Sequence, residues 1–484
     1  MKKDVNLPYL SYVLIAVVIV LLYAKTLYFE LTFLDDDLWL IGQQNYLQNI
    51  KNIFEIFTTI DISGVYYRPM ITLSFLIDSK LSNTYLYSHR ITNIVLHVIS
   101  SCFVFRLLEG FKFRKRVALS FALIFAVHPS LVQAVAWIPG RTNSLLCVFV
   151  LLAMISFMKY LKEGGCKNIV IHFISLLSAL LTKETALVLP AVCLAYWALI
   201  ADRTKTVRAM KIILSTWCVA VPIWFILRKM ALDGGEVIHA GMINSFFANS
   251  PAFILYFGKI FLPINLTVLP VLRDSNLWIG IVLAALVMIL LFASKKRRNP
   301  SVLFGMLWFF IFLVPAFVQS FTFPEYRLYI PIIGVFIVVH EMKVFKALKR
   351  FSSGAVVMSL IVMFFLIAYH YTDTYKDRLI FWENAVTHSP SAPMVHAHLA
   401  YAYYAHGKMD EAQKEFQKTL ILDPRASTIN YNIGVIHYNK KEYGLARQSL
   451  LAELRIKPPY KPAEDLLNAL RKKNNGAASY LTDK

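Results

Sequence analysis

Long apolar runs separated by short polar turns occupy the first three quarters of the chain. A helix needs about 20 apolar residues to cross bilayer hydrocarbon, at 1.5 Å of rise per residue. On that measure spanning helices are expected at 7–27, 90–108, 117–136, 142–161, 168–182, 185–201, 211–229, 276–294, 301–320, 328–342 and 353–371, about eleven in all. Residues 251–270 are apolar too, but they contain Lys259, Pro263 and Pro270. A re-entrant or interfacial helix is preferred there over a twelfth span, because proline removes a helical hydrogen bond and a charge resists burial.

From about residue 376 the pattern becomes amphipathic, and it repeats. Pro390, Pro424 and Pro458 stand 34 residues apart, as do Tyr404 and Tyr438, and Ala412 and Ala446. Trp382, Phe416 and Leu450 keep the same interval, as do Val386, Leu420 and Leu454. A 34-residue period of paired helices is the signature of tetratricopeptide (TPR) repeats. The small alanines permit close helix approach, and each proline stops a second helix. The expected fold is all-α: a polytopic membrane domain at 1–371, repeats at 376–472 with a capping helix near 462–472, and a flexible tail at 473–484.

Charge supports the membrane reading. Only 16% of residues are charged, against about a quarter in soluble domains. The excess of +21 lies in short basic runs between apolar segments, as topology signals do, so nucleic-acid binding is the weaker reading and no nucleic-acid partner is expected. Lys2 and Lys3 place the N-terminus in the cytoplasm, and the first span has no small-residue cleavage site. Alternation then puts the basic runs at 114–116, 162–167, 203–211, 295–298 and 343–350 inside, and the tail outside. The five cysteines have no metal-ligand spacing and read as small apolar residues.

The first extracytoplasmic loop, 28–89, carries the candidate chemistry. Just beyond span one it reads Asp35-Asp36-Asp37. Adjacent carboxylates repel, so at least one should have a raised pKa. Such a group can act as a general base or, at Asp35 and Asp36, hold a divalent cation such as Mg or Mn. The plainer alternative is a solvated acidic loop. Other outer turns hold Tyr66-Tyr67-Arg68-Pro69, His128-Pro129, Gly140-Arg141-Thr142, Lys183-Glu184 and Pro324-Glu325-Tyr326-Arg327. Together, Arg68, Arg141, Lys183 and Arg327 suit a phosphate at headgroup depth. Asp37, His128, Glu184 and Glu325 are expected to support them, although each residue alone could be an interfacial anchor. His89, His97 and His128 read as packed polar groups rather than metal ligands.

The order of these motifs resembles a known family. An acidic run after span one is followed by Tyr-Arg-Pro, then VHPSLVQAVAWIPGRTNSL, LLTKETALVLP, PEYRLYIP and TPR repeats. This is similar to the transmembrane and TPR O-mannosyltransferases and their bacterial relatives, of the GT-C glycosyltransferase superfamily. The resemblance implies a polyprenyl-phosphate sugar donor, with Asp35 or Asp36 as the base. It implies inverting transfer of mannose or another hexose to a hydroxyl, a protein Ser or Thr. The acceptor protein or peptide would be held by the repeats, at a bacterial inner membrane with the tail extracytoplasmic. The chain departs in having few repeats and Glu-Tyr-Arg where relatives often read Glu-Arg-Tyr. Two non-enzymatic alternatives are a membrane-anchored TPR scaffold for envelope or secretion partners, and a transporter. A scaffold has no use for three carboxylates at that depth, and a transporter would show charged spans and inverted repeats.

Overall fold

The computed structural model describes residues 7–61, 64, 66–82, 85–232, 242–293, 299–318, 322–342 and 353–482. The basic runs at 2–3, 295–298 and 343–350 that entered the topology argument lie outside these residues. Among the described residues every regular element is helical. They fall into two compact units, residues 1–268 with 276–377, and residues 269–275 with 378–484.

Helices of eight or more residues are numbered here. In the first unit they are α1 (Leu7–Tyr23), α2 (Pro69–Leu81), α3 (Tyr85–Gly110), α4 (Lys115–Ala126), α5 (Arg141–Glu163), α6 (Cys166–Leu180) and α7 (Leu189–Leu199). There follow α8 (Arg203–Ala231), α9 (Met242–Asn249), α10 (Ala252–Phe261), α11 (Trp278–Ala293), α12 (Pro300–Leu313), α13 (Ile332–Glu341) and α14 (Ser353–Thr372). The exposed faces identify the solvent. On α1, Ile15, Ile19 and Leu22 are buried, while Val13, Val17 and Leu21 are 47–62% exposed. A helix as apolar outside as inside is solvated by lipid.

Among the described residues six helical stretches are long and apolar enough to cross a bilayer: Tyr9–Tyr28, Leu86–Gly110, Ile138–Glu163, Arg203–Ala231, Pro300–Phe317 and Gly354–Tyr375. A seventh is the pair Lys115–Ala126 and Pro129–Ala136, bent by 55° at His128-Pro129, where the proline ring interrupts the helical ladder. The expected eleven are thus not all reached. Cys166–Leu180, Glu184–Leu199, Trp278–Ala293 and Ile332–Glu341 coincide with expected spans but fall among the helices of 10–17 residues. Such lengths rise only about 15–26 Å, short of roughly 30 Å of hydrocarbon. Within 251–270, α10 has ten residues, too few to cross alone.

Among the described residues, Gly305 with Gly334 and Gly258 with Gly280 mark close helix approaches. A Cβ on Gly305 would stand 2.6 Å from the Gly334 carbonyl oxygen, and one on Gly334 would stand 2.3 Å from that of Gly305. A Cβ on Gly280 would meet the Ile254 carbonyl oxygen at 2.1 Å. Each obstacle is backbone, so a larger residue forces whole helices apart.

The second unit contains α15 (Arg378–His388), α16 (Pro393–Ala405), α17 (Met409–Leu422), α18 (Ile429–Asn439), α19 (Tyr443–Ile456) and α20 (Lys461–Thr482). The 34-residue register is realised in packing. Ala412 and Ala446 are fully buried, as are Trp382, Phe416 and Leu450. Helices α15, α17 and α19 end at His388, Leu422 and Ile456, each two residues before its proline, since the residue preceding proline is forced out of the helical region. Glu453, fully buried, accepts from the backbone N–H of Thr428 at 2.6 Å and of Tyr431 at 3.3 Å, satisfying orphan donors at the start of α18. Residues 473–482 continue α20. Residues 269–275 belong to this unit: the Ser389 hydroxyl donates to Leu269 O at 2.8 Å, and the Ser391 N–H to Asp274 Oδ2 at 2.9 Å.

Gly334→Val should separate α12 from α13 and cost on the order of 1–3 kcal/mol. Thermal unfolding of the detergent-solubilised protein should show a melting temperature several degrees lower. An unchanged melting temperature would mean that these helices do not need their close approach.

Candidate active site

The loop after α1 is held from within by one carboxylate. Asp36 Oδ2 accepts from the Thr32 N–H at 2.8 Å and from its hydroxyl at 2.9 Å, while Oδ1 accepts from the Leu34 N–H at 3.1 Å. Asp36 is 1% exposed. The turn it closes places Phe33 and Asp35 at φ of 57° and 65°, a region that L side chains occupy at a steric cost. From outside, Trp137 Nε1 donates to Leu34 O at 3.0 Å. Arg90 donates to Glu30 O at 2.6 Å and to Ala136 O at 3.0 Å, tying the loop to the bent pair.

Held this way, Asp35 is exposed and lines a cavity of about 180 Å³ together with Asp61, Arg68, Asn143, Lys183 and Tyr326. Trp39, Phe75 and Trp137 supply aromatic walls, with Trp39 stacked on Phe75 at 4.8 Å and Trp137 on Tyr326 at 6.1 Å between ring centroids. The cationic side is braced. Arg68 donates through Nε and Nη2 to the two Glu184 oxygens at 3.1 and 2.5 Å, and its guanidinium lies 3.8 Å from the Tyr66 ring centroid. Lys183 Nζ donates to Asn143 Oδ1 at 3.0 Å.

The electrostatics follow from this crowding. Protein atoms packed round Asp35, then the charges of Asp37 and Asp61, push its carboxyl above the usual range. Burial lifts Asp36 to about 6 against the opposing hydrogen bonds from Thr32. Burial would lift Glu184 as well, but the charge and hydrogen bonds of Arg68, with Lys183 beside it, hold it down at about 2. Burial, then the neighbouring charge of Arg68, pulls Lys183 down to about 7 against the attraction of Glu184.

Of the residues singled out from sequence, Asp35, Arg68 and Lys183 share this cavity, with Glu184 bracing Arg68. Others do not line it. Arg141 is fully buried, and its nitrogens are taken by Asp78 at 2.5 Å, Asn93 at 3.0 Å and the His89 carbonyl at 2.7 Å. It sits behind the cavity wall, 4.2 Å from the Phe75 ring centroid. It does not line the cavity in which a donor phosphate was expected, and its Nε, Nη1 and Nη2 all engage the protein. Arg327 donates to Ala316 O at 3.1 Å, and its charge still reaches Lys183. Glu325 is buried against Lys259 at 3.3 Å. His128 is buried, with Nε2 3.0 Å from Ile260 O, and His97 bridges Tyr329 and Ala126 O.

Asp36 also departs from its expected role. Buried, with its oxygens engaged by three donors, it shapes the loop instead of facing the cavity. The pair Asp35 and Asp36 thus does not offer a cation two open carboxylates. Among the described residues no group of three or more His, Cys, Asp or Glu is placed to hold a metal ion. The cavity adds residues that sequence reasoning missed. Tyr326, Asn143 and Trp137 lie inside motifs already noted, so their positions were available. Asp61 stands in an unpatterned loop and offered no signal.

Two family models match the chain, one described as dolichyl-phosphate-mannose-protein mannosyltransferase over residues 69–227 and one as tetratricopeptide repeat over 398–461. Among curated proteins, protein O-mannosyl-transferase F38B6.6 of Caenorhabditis elegans is 27% identical over 393 residues, covering 74% of this chain and 54% of the relative. Protein O-mannosyl-transferase TMTC1 of Homo sapiens is 23% identical over 440 residues, covering 76% and 49%. The Mus musculus TMTC1 is 33% identical over 141 residues, covering 27% and 15%. The chain spans about half the length of the first two relatives. With its apolar helices, its mannosyltransferase-like segment and its repeats, the chain is similar to the transmembrane and tetratricopeptide-repeat O-mannosyltransferases.

Proposed function

We propose that the chain is an inverting GT-C glycosyltransferase that moves mannose, or another hexose, from a polyprenyl phosphate to the hydroxyl of an extracytoplasmic protein Ser or Thr. The observation that carries this reading is a cavity lined by an accessible carboxylate, Asp35, together with two cationic side chains, Arg68 and Lys183. The acceptor oxygen attacks the anomeric carbon as its proton passes to the Asp35 carboxylate. The bond from that carbon to the phosphate oxygen breaks, and the electron pair leaves with the polyprenyl phosphate. One displacement inverts the configuration. A base whose pKa is raised toward the working pH takes a proton more readily, and Asp35 is raised.

Lys183 and Arg68 stabilise the phosphate charge as it develops. Glu184 engages Nε and Nη2 of Arg68, which orients the guanidinium and leaves Nη1 for the ligand. Lys183 at about 7 is only partly charged near neutrality, and an arriving phosphate favours its protonated form. The repeats would hold the acceptor chain, as such stacks bind extended segments. The membrane would be a bacterial inner membrane, with the repeats extracytoplasmic.

Asp35→Asn should lower transfer of labelled sugar from a synthetic polyprenyl-phosphate monosaccharide by about 10²-fold or more. Its melting temperature should stay at the wild-type value, because Asp35 does not hold the turn. Asp36→Ala should instead lower the melting temperature and expose the loop to protease. Wild-type transfer by Asp35→Asn would remove the proposed base. For the donor, KM should rise as pH climbs through about 7, where Lys183 loses the proton that attracts phosphate. Lys183→Arg stays charged and should flatten that rise between about pH 6 and about pH 9. A wild-type profile as flat as that of the variant would take Lys183 off the phosphate. A reporter fused after residue 484 should behave as extracytoplasmic, and cytoplasmic behaviour would overturn the proposed orientation.

A further inference from the structure

The N-terminal parts of α3 and α5 support the candidate active site. In the third turn of α3, Asn93 Nδ2 donates to the Trp137 and Ile138 carbonyls at 3.1 and 3.2 Å, and Asn143 in the first turn of α5 lines the cavity. From those residues the helices run on to Gly110 and Glu163, roughly 26–30 Å along the axis. Those ends open a second, larger cavity of about 640 Å³. It belongs to neither the proposed chemistry nor the repeats.

Its lining is divided by polarity. Leu107, Ile155, Met158 and Tyr196 give it an apolar floor. The charged lining comprises Arg106, Lys112, Lys159, Lys162 and Lys205 with Glu109, Glu163 and Asp202. Three of the five bases are matched to an acid: Arg106 with Glu109 at 3.0 Å, Lys162 with Glu163 at 3.9 Å, and Lys205 with Asp202 at 3.3 Å. Lys112 and Lys159, both exposed, have no carboxylate partner among the described residues. Lys112 also sits at φ 62° just past the end of α3, a position where glycine would be free of strain. A lysine there incurs a steric cost and supplies a charge that glycine could not.

We propose that this cavity binds an anionic phospholipid of the leaflet opposite the active site, with its phosphate between Lys112 and Lys159. The apolar floor favours a lipid over a soluble phosphate ester, because Ile155, Met158 and Tyr196, each partly exposed, give acyl carbons a surface that a sugar phosphate cannot use. The depth agrees as well: the apolar stretches Leu86–Gly110 and Ile138–Glu163 end at the cavity, which places its charged lining at the headgroups. Basic pockets between spanning helices are the usual form of such sites. The net charge of the lining is set by the two unmatched lysines, so the selectivity is for charge on the headgroup.

The test uses the full chain in mixed micelles holding equal phosphatidylglycerol and phosphatidylcholine, with retained lipid counted by native mass spectrometry. Wild type should retain phosphatidylglycerol over phosphatidylcholine by about tenfold or more, and K112Q/K159Q should bring that ratio to about even. K162Q/K205Q, which removes lysines already matched to acids, should leave the preference in place. K159E changes one exposed side chain, so it should fold, and it too should lose the preference. Thermal unfolding supplies a second readout: phosphatidylglycerol should raise the melting temperature of wild type but not of K112Q/K159Q. An undiminished preference in both K112Q/K159Q and K159E would overturn the proposal. Stabilisation by glycerol phosphate equal to that by phosphatidylglycerol would overturn it as well, pointing to a soluble ligand.

Discussion

The buried carboxylate of Asp36 is the constraint on which the candidate site depends. With water excluded, a carboxylate must be met by donors, and the nearest are the N–H and hydroxyl of Thr32 and the N–H of Leu34. Meeting them curls the chain so tightly that Phe33 and Asp35 take left-handed backbone angles. That curl turns Asp35 to the cavity while Asp36 turns away. Two neighbours of the same chemical type thus receive opposite roles from one set of hydrogen bonds.

The same economy governs the other ionic groups of the membrane unit. Asp78 meets Arg141, Glu325 meets Lys259, and Glu184 meets Arg68. The first two pairs are nearly inaccessible, and Lys259 spends further donors on the Ile264 and Asn265 carbonyls at 2.7 and 2.6 Å. Breaking such a pair strands a charge in a low-dielectric setting, at a cost of about 3–5 kcal/mol. The Arg68–Glu184 pair differs because Glu184 is 39% exposed. It fixes an orientation at the edge of a cavity and adds little stability of its own.

How much of this was legible in sequence depends on the range of the forces involved. The repeats were readable because their signal is local and periodic: Ala412 and Ala446, or Phe416 and Leu450, bury the same helix face one period apart. The spans were readable as apolar runs. Their count was not, since Pro129 bends one and several others stop at 10–17 residues. In the site, Asp35, Arg68 and Lys183 could be named from motifs. Arg141 was misjudged because its partners Asp78 and Asn93 lie 63 and 48 residues away, and no local pattern says whether a guanidinium is already satisfied. Asp61 was missed for the converse reason, since only the folded loop brings it beside Asp35.

The mannosyltransferase-like segment, residues 69–227, holds Lys183, Asn143 and Trp137 but leaves out Asp35, Arg68 and Tyr326. The cavity must therefore be assembled across the edge of that segment. The ties to the loop end on backbone carbonyls, Trp137 on Leu34 O and Arg90 on Glu30 O, while Arg68 is held across the same edge by the Glu184 carboxylate. Every residue carries a carbonyl, so such a tie demands a specific side chain only on the donor. The loop can change at positions 30 and 34 and still be held. Only Asp36, whose side chain closes the turn from within, has to remain an acceptor for Asp35 to reach the cavity.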